Sequence, residues 1–238
     1  MPPRNPNAAQ VPALSDPRLR LAASLVRPGA VVADIGTDHG FLVCHLVGSG
    51  HCPRGFACDI NPAPLQRARR TVENQDLSTR IELLLTDGMN GLQGKDVDDF
   101  VIMGMGGELI AKILGSQPWA QNPHFHFVLQ PMTRAEHLRR FLYQSGFAIQ
   151  KEVAVMAGRF VYSIFSVTHT GFVREIEDLF AWTGLLWYNR DEESLVYLAR
   201  VAAQLRAVAD GLRRTHGRAG DADHYHALAE EIYTHLHL

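Results

Sequence analysis

The sequence is poor in cysteine. Cys44, Cys52 and Cys58 form no C-x-x-C pair, and their odd number argues against a disulfide framework. A reducing, cytoplasmic setting is expected. Long hydrophobic runs are missing too: none approaches the roughly 18–20 residues of a membrane span. The opening Met1-Pro-Pro-Arg-Asn-Pro6 lacks the apolar core of a secretory leader. There is no excess of charge, the formal net value being -2, so bulk electrostatics does not announce a polyanion binder. Lysine is scarce, and the positive charge is mostly clustered arginine, the better residue for bidentate phosphate contact. The glycine run G-x-G-x-x-G is absent, which disfavours a nicotinamide dinucleotide site.

What remains is an ordinary globular composition over 238 residues, 46% hydrophobic and 20% charged. That is enough for one large domain, or one domain with a small appendage. Residues 1–15, rich in Pro, Asn and Ala, read as a disordered tail. From about residue 16 to 170 the pattern alternates. Apolar strand-like runs at 31–35, 55–60, 81–85, 99–103 and 126–130 are separated by helical periodicity, and a β-hairpin follows over 147–168. The expected fold class is therefore α/β, a mostly parallel sheet with an antiparallel end. After residue 171 two apolar stripes, Leu195 to Leu212 and Leu228 to Leu236, predict an antiparallel helical hairpin.

The chain is organised around Val31-Val-Ala-Asp-Ile-Gly-Thr-Asp-His-Gly40. Its pattern is strand, glycine turn, helix, with Gly36 and Gly40 giving the backbone freedom to turn and to approach a ligand. Asp34 and Asp38 would repel a pyrophosphate and suit a cofactor bearing an ammonium or sulfonium, such as S-adenosylmethionine. The other strand ends fit the same cofactor. Asp59 can accept from ribose hydroxyls, Asp87 can meet an adenine amino group, and Gly104-Met-Gly-Gly107 lies next to the departing methyl.

These residues carry a family resemblance. The runs Asp34-Ile-Gly-Thr-Asp-His-Gly-Phe-Leu42, Asp59-Ile-Asn-Pro-Ala-Pro64, Asp87-Gly88, Gly104-Met-Gly-Gly107 and Leu129-Gln-Pro-Met132 resemble the bacterial TrmK family, enzymes that methylate N1 of the adenine at position 22 of tRNA. Leu14-Ser15 with Arg18-Leu19, the stretch 138–147 and Tyr162 extend the likeness. The resemblance implies a Rossmann-like seven-stranded methyltransferase sheet with a coiled-coil-like C-terminal domain. It implies cofactor contacts at Arg18, Asp34, Gly36, Thr37, Gly40, Asp59, Ile60, Asn61, Asp87, Gly88, Met103 and Gly104. Substrate contacts are expected at Gly106, Gly107, Gln130 and Pro131, and on the helical hairpin at Arg206, Arg213 and Arg214. Asp38 would stabilise the cationic product base, and His39 would contact base or cofactor. The sequence departs from the family at Gly40, Phe41 and Ala63, and Gly184-Leu185 stands where a Gly-Pro is usual.

The expected partner is tRNA, with no membrane, no metal, and a monomer or weak homodimer. The histidine pairs 124/126, 224/226 and 235/237 lack the cysteines or compact carboxylates that would complete a metal site. Two other readings stay open: a methyltransferase of the same fold acting on another RNA base, and a catalytically silent protein that binds cofactor and RNA.

Overall fold

The computed structural model describes residues 13–215 and 217–237, so most of the expected tail, residues 1–12, lies outside the described residues. The sheet is built from β1 (Val32–Ile35), β2 (Gly55–Asp59), β3 (Ile81–Leu85), β4 (Asp99–Gly106), β5 (His126–Thr133), β6 (Phe147–Ala157) and β7 (Phe160–His169). Their order across the sheet is β3-β2-β1-β4-β5-β7-β6. The first five strands are parallel, and β7 runs antiparallel to both β5 and β6. The order reverses between β1 and β4, and such a switch opens a ligand crevice at the carboxyl ends of the strands.

The central strands are apolar on both faces because both faces are covered. Ala33, Ile35, Phe100, Ile102, Phe127 and Leu129 point into one layer, closed by α4 (Gly107–Gly115) and α5 (Ala135–Gln144). Val32, Ala57, Val101 and Val128 point into the other, closed by α1 (Pro17–Leu25), α2 (Phe41–Gly48) and α3 (Pro62–Asn74). At the amino ends of the strands, away from the crevice, His126 is hydrogen-bonded through Nδ1 to Asp99 Oδ2 at 3.0 Å and through Nε2 to Ser166 at 2.8 Å. Arg27 closes on the same buried Asp99 carboxylate at 2.7 Å. This histidine is an anchor between strands.

Two strands run further than their sequence suggests. β4 continues to Gly106 with register shifts around Met105, and β5 passes through Pro131, which pairs with Met105. Pro131 is tolerated because β7 pairs with β5 only over residues 126–129, so no neighbour on that side asks for its missing N–H.

Beyond β7 come α6 (Asp178–Thr183), a 3₁₀ turn at Gly184–Tyr188, α7 (Glu192–Arg213) and α8 (Ala219–Leu236). The last two are the expected helical hairpin. They share a third core, in which Tyr197, Leu198, Val201 and Leu205 meet Leu228 and Ile232 and pack on Ala154 and Val161 of β6 and β7.

A buried ion pair fastens this element to the sheet. Arg139 of α5 bonds Glu152 Oε1 of β6 at 2.6 Å, and both side chains are essentially inaccessible. Arg139 also donates to the carbonyls of Ala181 and Trp182 at 2.7 and 3.1 Å and to the Tyr197 hydroxyl at 3.2 Å. The Leu185 N–H donates to the second Glu152 oxygen at 2.9 Å. Gly184 has φ +62°, and a Cβ there would strike the Glu152 carboxylate. Removing one partner strands a charge in the core, so Glu152→Ala is expected to cost about 3–5 kcal/mol. Urea denaturation measures this; a loss below about 1 kcal/mol would mean that Arg139 finds water without Glu152.

Candidate active site

β1 delivers its last residues to the switch point, between β2 and β4. There the chain turns sharply. The N–H groups of Gly36 and Thr37 both donate to the Cys58 carbonyl of β2, at 2.8 and 3.0 Å, and Gly40 N–H closes the turn on the Thr37 carbonyl at 2.9 Å. Gly36, Asp38 and Gly40 all have positive φ. Gly40 begins α2 against α3, where a Cβ would press on Ala68. Its smallness thus serves helix packing. At Gly36 a Cβ would meet the tip of Met105.

The turn forms one wall of a cavity of about 470 Å³, within the usual range for small-molecule sites. Arg18, Asp34, Gly36, Thr37, Asp38, His39, Met103, Gly104 and Gln130 line it, so nine of the expected site residues converge. Residues 13–16 supply another wall that the sequence reading did not assign, with Asp16 and Leu14 among them. Arg20 holds that segment through the carbonyls of Leu14 and Ser15, both at 2.7 Å. Asp16 caps α1 and grips the Arg18 guanidinium at 2.6 Å, and this hydrogen bond holds the Asp16 carboxyl below its usual range. An Asp-Pro pair ahead of a helical stripe is the sequence signal for such a cap.

Asp34 lies at the floor. It is buried, and its Oδ2 accepts one hydrogen bond from the Thr37 hydroxyl at 2.7 Å. Burial pushes its pKa up to about 6; the Thr37 bond opposes the shift and the nearby Asp59 charge adds to it. Gln130, fully buried, accepts from Gly104 N–H at 3.1 Å and donates to the Pro131 carbonyl at 3.0 Å. It fixes the ends of β4 and β5 relative to each other.

The remaining expected residues lie outside this cavity. Asp59 ends β2 with its carboxylate accepting from Asn61 N–H at 2.8 Å. Beside it, Ile60 and Leu85 are exposed apolar residues at adjacent strand ends, 58% and 60% accessible, and Asp87-Gly88 follow β3. Together they form a shelf next to the cavity. Gly107 is buried where a Cβ would strike the Arg134 carbonyl, and Gly106 faces the Thr133 hydroxyl, so both lie against the end of β5. Pro131 lines a second, smaller cleft. Asp38 is exposed and paired with Arg67 of α3, a partner that no sequence signal marked, while His39 stacks on Phe41 with ring centres 5.2 Å apart. On the helical hairpin, Arg206 is paired with Glu230, and Arg213 lies 3.6 and 3.7 Å from Asp210 and Asp223. Among the described residues no group of three or more His, Cys, Asp or Glu could hold a metal ion, and no helix is long and apolar enough to cross a membrane.

The family described as "Methyltransferase domain" matches residues 15–165. The chain belongs to that family. The match thus spans six strands of the sheet and the start of β7, and includes Arg18, Asp34, Met103, Gly104 and Gln130 of the cavity. In sequence the chain is 35% identical over 136 residues to the tRNA (adenine(22)-N(1))-methyltransferase of Bacillus subtilis, a stretch that covers 57% of each protein. The chain thus spans less than two thirds of that curated relative's length. In structure it is similar to a Streptococcus pneumoniae putative tRNA (m1A22) methyltransferase in complex with S-adenosyl-L-methionine, with TM-score 0.79, 26% identity, and coverage of 90% of this chain and 97% of that one. It also resembles the Bacillus subtilis m1A22 tRNA methyltransferase TrmK, with TM-score 0.82, 23% identity, and coverage of 92% and 98%. The fold agreement extends through the C-terminal helices, and the motif resemblance to the TrmK family is borne out.

The buried carboxylate yields a test independent of any ligand. The folded-state value of about 6 lies above the roughly 3.9 of an unfolded aspartate, so ionising Asp34 favours unfolding. Its contribution to stability is fully present in acid and is lost as pH rises through 6. Asp34→Asn is therefore expected to be more stable than the parent at pH 7.5, by about 1–3 kcal/mol, with the gap closing toward pH 4. Urea titrations across that range check it; a gap independent of pH would show that Asp34 is not a buried charge.

Proposed function

We propose that this protein is an S-adenosylmethionine-dependent tRNA methyltransferase acting on N1 of an adenine, position 22 being the site that the relatives' names point to. The observation that carries the reading is the Asp34 floor. Among the described residues this buried carboxylate, walled by a glycine turn, has one hydroxyl partner and no cation. A methionine ammonium would relieve that desolvated charge. Arg18, Thr37, Met103 and Gly104 would surround the methionine part. Asp59 would accept from the ribose hydroxyls, with Ile60, Asn61, Asp87, Gly88 and exposed Leu85 around the adenine. Gly36 and Gly40 shape the turn.

The cofactor supplies, when bound, an electrophilic methyl group. Adenine N1 already carries a lone pair, so the protein has no need of a strong base. N1 lies on the Watson–Crick edge, so the base must leave its pair to react. The protein's tasks are then to admit a flat base, hold it in line, and stabilise the cation that forms. Gly104 is exposed with open space around it and would admit the ring. Asp38 would stabilise the positive charge, once the ring displaces or shares Arg67. His39, stacked on Phe41, would extend that wall. Gly106, Gly107 and Pro131 support the site from behind by fixing the β4–β5 extension, and Gln130 orients it.

We also read the chain as a cofactor domain over 16–170 and a helical domain over 171–238, acting in the cytoplasm on tRNA. A chain ending near residue 168 would lose the Ala181 and Trp182 carbonyls and the Leu185 N–H that satisfy the buried Arg139–Glu152 pair, so intact protein is the right reagent.

The decisive experiment is incubation with unmodified tRNA and labelled S-adenosylmethionine, followed by nucleoside analysis. N1-methyladenosine is expected; label in another nucleoside would overturn the base assignment, and no label would overturn the activity. Asp38→Asn should lower turnover by about 10-fold or more, as loss of one electrostatic contact does, with cofactor affinity unchanged. A parallel fall in affinity would make Asp38 a turn-holding residue. Calorimetry should also show cofactor affinity increasing as pH rises through about 6 and then levelling, because Asp34 must ionise to meet the ammonium. A flat profile would remove Asp34 from that contact.

A further inference from the structure

A second cleft opens between the end of β5 and the first half of α7. Its volume is about 150 Å³, and its walls include Pro131, Arg134, Tyr162, Trp182, Arg200 and Gln204. It is too small for a cofactor, since small-molecule sites run to roughly 300 Å³ and more. It is contiguous with the main cavity. Arg18 lines that cavity, yet its guanidinium reaches Met132 Sδ at 3.4 Å and lies 5.0 Å from the Tyr162 ring centre. Met132 and Tyr162 both line the second cleft. One wall of three side chains thus separates the place where the base would react from a pocket facing solvent.

The charges in this cleft are not equivalent. Arg134 is neutralised by Glu108 and Glu136, both at 3.2 Å. Arg200 is exposed and forms no ion pair among the described residues. Its guanidinium lies 5.0 Å from the ring centre of Tyr197, whose hydroxyl is held by the buried Arg139. A cation over a fixed aromatic ring is pre-positioned without being neutralised. Gln204, one turn later on the same helix, and the half-buried Trp182 complete a polar and aromatic rim.

We propose that this cleft holds the RNA backbone next to the methylated base, with Arg200 binding a phosphodiester of that strand. The inference rests on the reading of the protein as an RNA methyltransferase. A base taken out of its stack leaves its neighbouring phosphates close to the mouth of the reaction cavity, and phosphate contacts fix the register of a nucleic acid without reading its sequence. The placement also moves the expected RNA contact along α7. Arg213 lies thirteen residues beyond Arg200, about 20 Å along the helix axis, and both it and Arg206 face carboxylates. Among the described residues Arg200 is the α7 arginine that has no carboxylate partner and lies beside the site.

The test uses the full chain and unmodified tRNA. Arg200→Glu should raise KM for tRNA by about 10-fold, with kcat, S-adenosylmethionine affinity and melting temperature unchanged. The slope of log affinity against log salt should fall by about one phosphate contact. Arg200→Lys should recover part of the loss, because a point charge still meets a phosphate, whereas Arg206→Ala should leave KM within about twofold. If wild-type protein neither binds nor methylates tRNA, the reading of its function fails. If wild-type is active and Arg200→Glu keeps its KM and salt slope, the cleft assignment alone is overturned. A loss at Arg206 equal to that at Arg200 would likewise overturn it, by placing the strand along the outer hairpin.

Discussion

The buried Arg139–Glu152 pair decides how the two parts of the chain meet. Two charges removed from water are costly, and their attraction compensates only when further hydrogen bonds complete both ions. Here α5 supplies the cation and β6 the anion, while α6, the 3₁₀ turn and α7 supply the Ala181 and Trp182 carbonyls, the Leu185 N–H and the Tyr197 hydroxyl. Only Arg139 Nε lacks a partner among the buried side-chain polar atoms described. The helices are therefore docked by an obligation that apolar packing alone would not impose. The same network explains the local sequence. Gly184 must lack a Cβ to pass the Glu152 carboxylate, and Leu185 contributes a donor that a proline at that position would remove. The departure from the family's Gly-Pro thus gives the carboxylate its second hydrogen bond.

Asp34 is the opposite case. It too is a buried charge, yet its hydrogen-bond partner is the neutral Thr37 hydroxyl, and the nearby Asp59 charge has the same sign. Holding it ionised at neutral pH costs about 3 kcal/mol. The fold accepts this destabilisation at the end of β1, at the switch point, where a cationic ligand can remove it. A site that binds through such relief is expected to be less stable empty than filled, and that trade of stability for affinity is common where function needs an unsatisfied group.

Much of this was legible in the sequence. Apolar runs ending in an acid or a glycine marked the parallel strands, because a strand covered on both faces must be apolar throughout and its exposed end is the first place a carboxylate can stand. The glycine turn and the converging Asp34, Asp38 and Gly104 followed from that pattern, and Thr37 from the family resemblance. Interactions closed by distant segments were not legible. The continuation of β5 through Pro131 depends on where β7 stops pairing. The buried pair depends on Arg139 and Glu152 looking like ordinary surface residues of a helix and a strand. The short α6 and the 3₁₀ turn carry too few residues for a periodic signal. The C-terminal arginines read as a basic stripe, but Glu230 and Asp223 return from α8 to meet Arg206 and Arg213, a consequence of the hairpin that spacing within α7 does not reveal.

Net charge and local charge then part company. A chain of formal charge -2 gains little from bulk attraction to a polyanion, and many of its arginines are occupied: Arg18 by Asp16, Arg27 by Asp99, Arg67 by Asp38, Arg140 by Asp178, Arg218 by Asp221. Affinity for a phosphate backbone must then come from cations outside those pairs. Arg200 is one, over Tyr197 on α7. Arg159 is another, over Phe160 at the tip of the β6–β7 hairpin, with Phe160 itself 6.4 Å from Tyr162. Tyr162 belongs to the wall shared by the cavity and the cleft, so these two arginines, which form no ion pair among the described residues, flank the reaction site from the hairpin side and the helix side. Each rests on an aromatic ring, which positions a guanidinium without cancelling its charge. Several paired arginines hold the fold together, whereas Arg159 and Arg200 rest on rings without an ion pair among the described residues. In a nearly neutral protein this division concentrates attraction where the base must arrive.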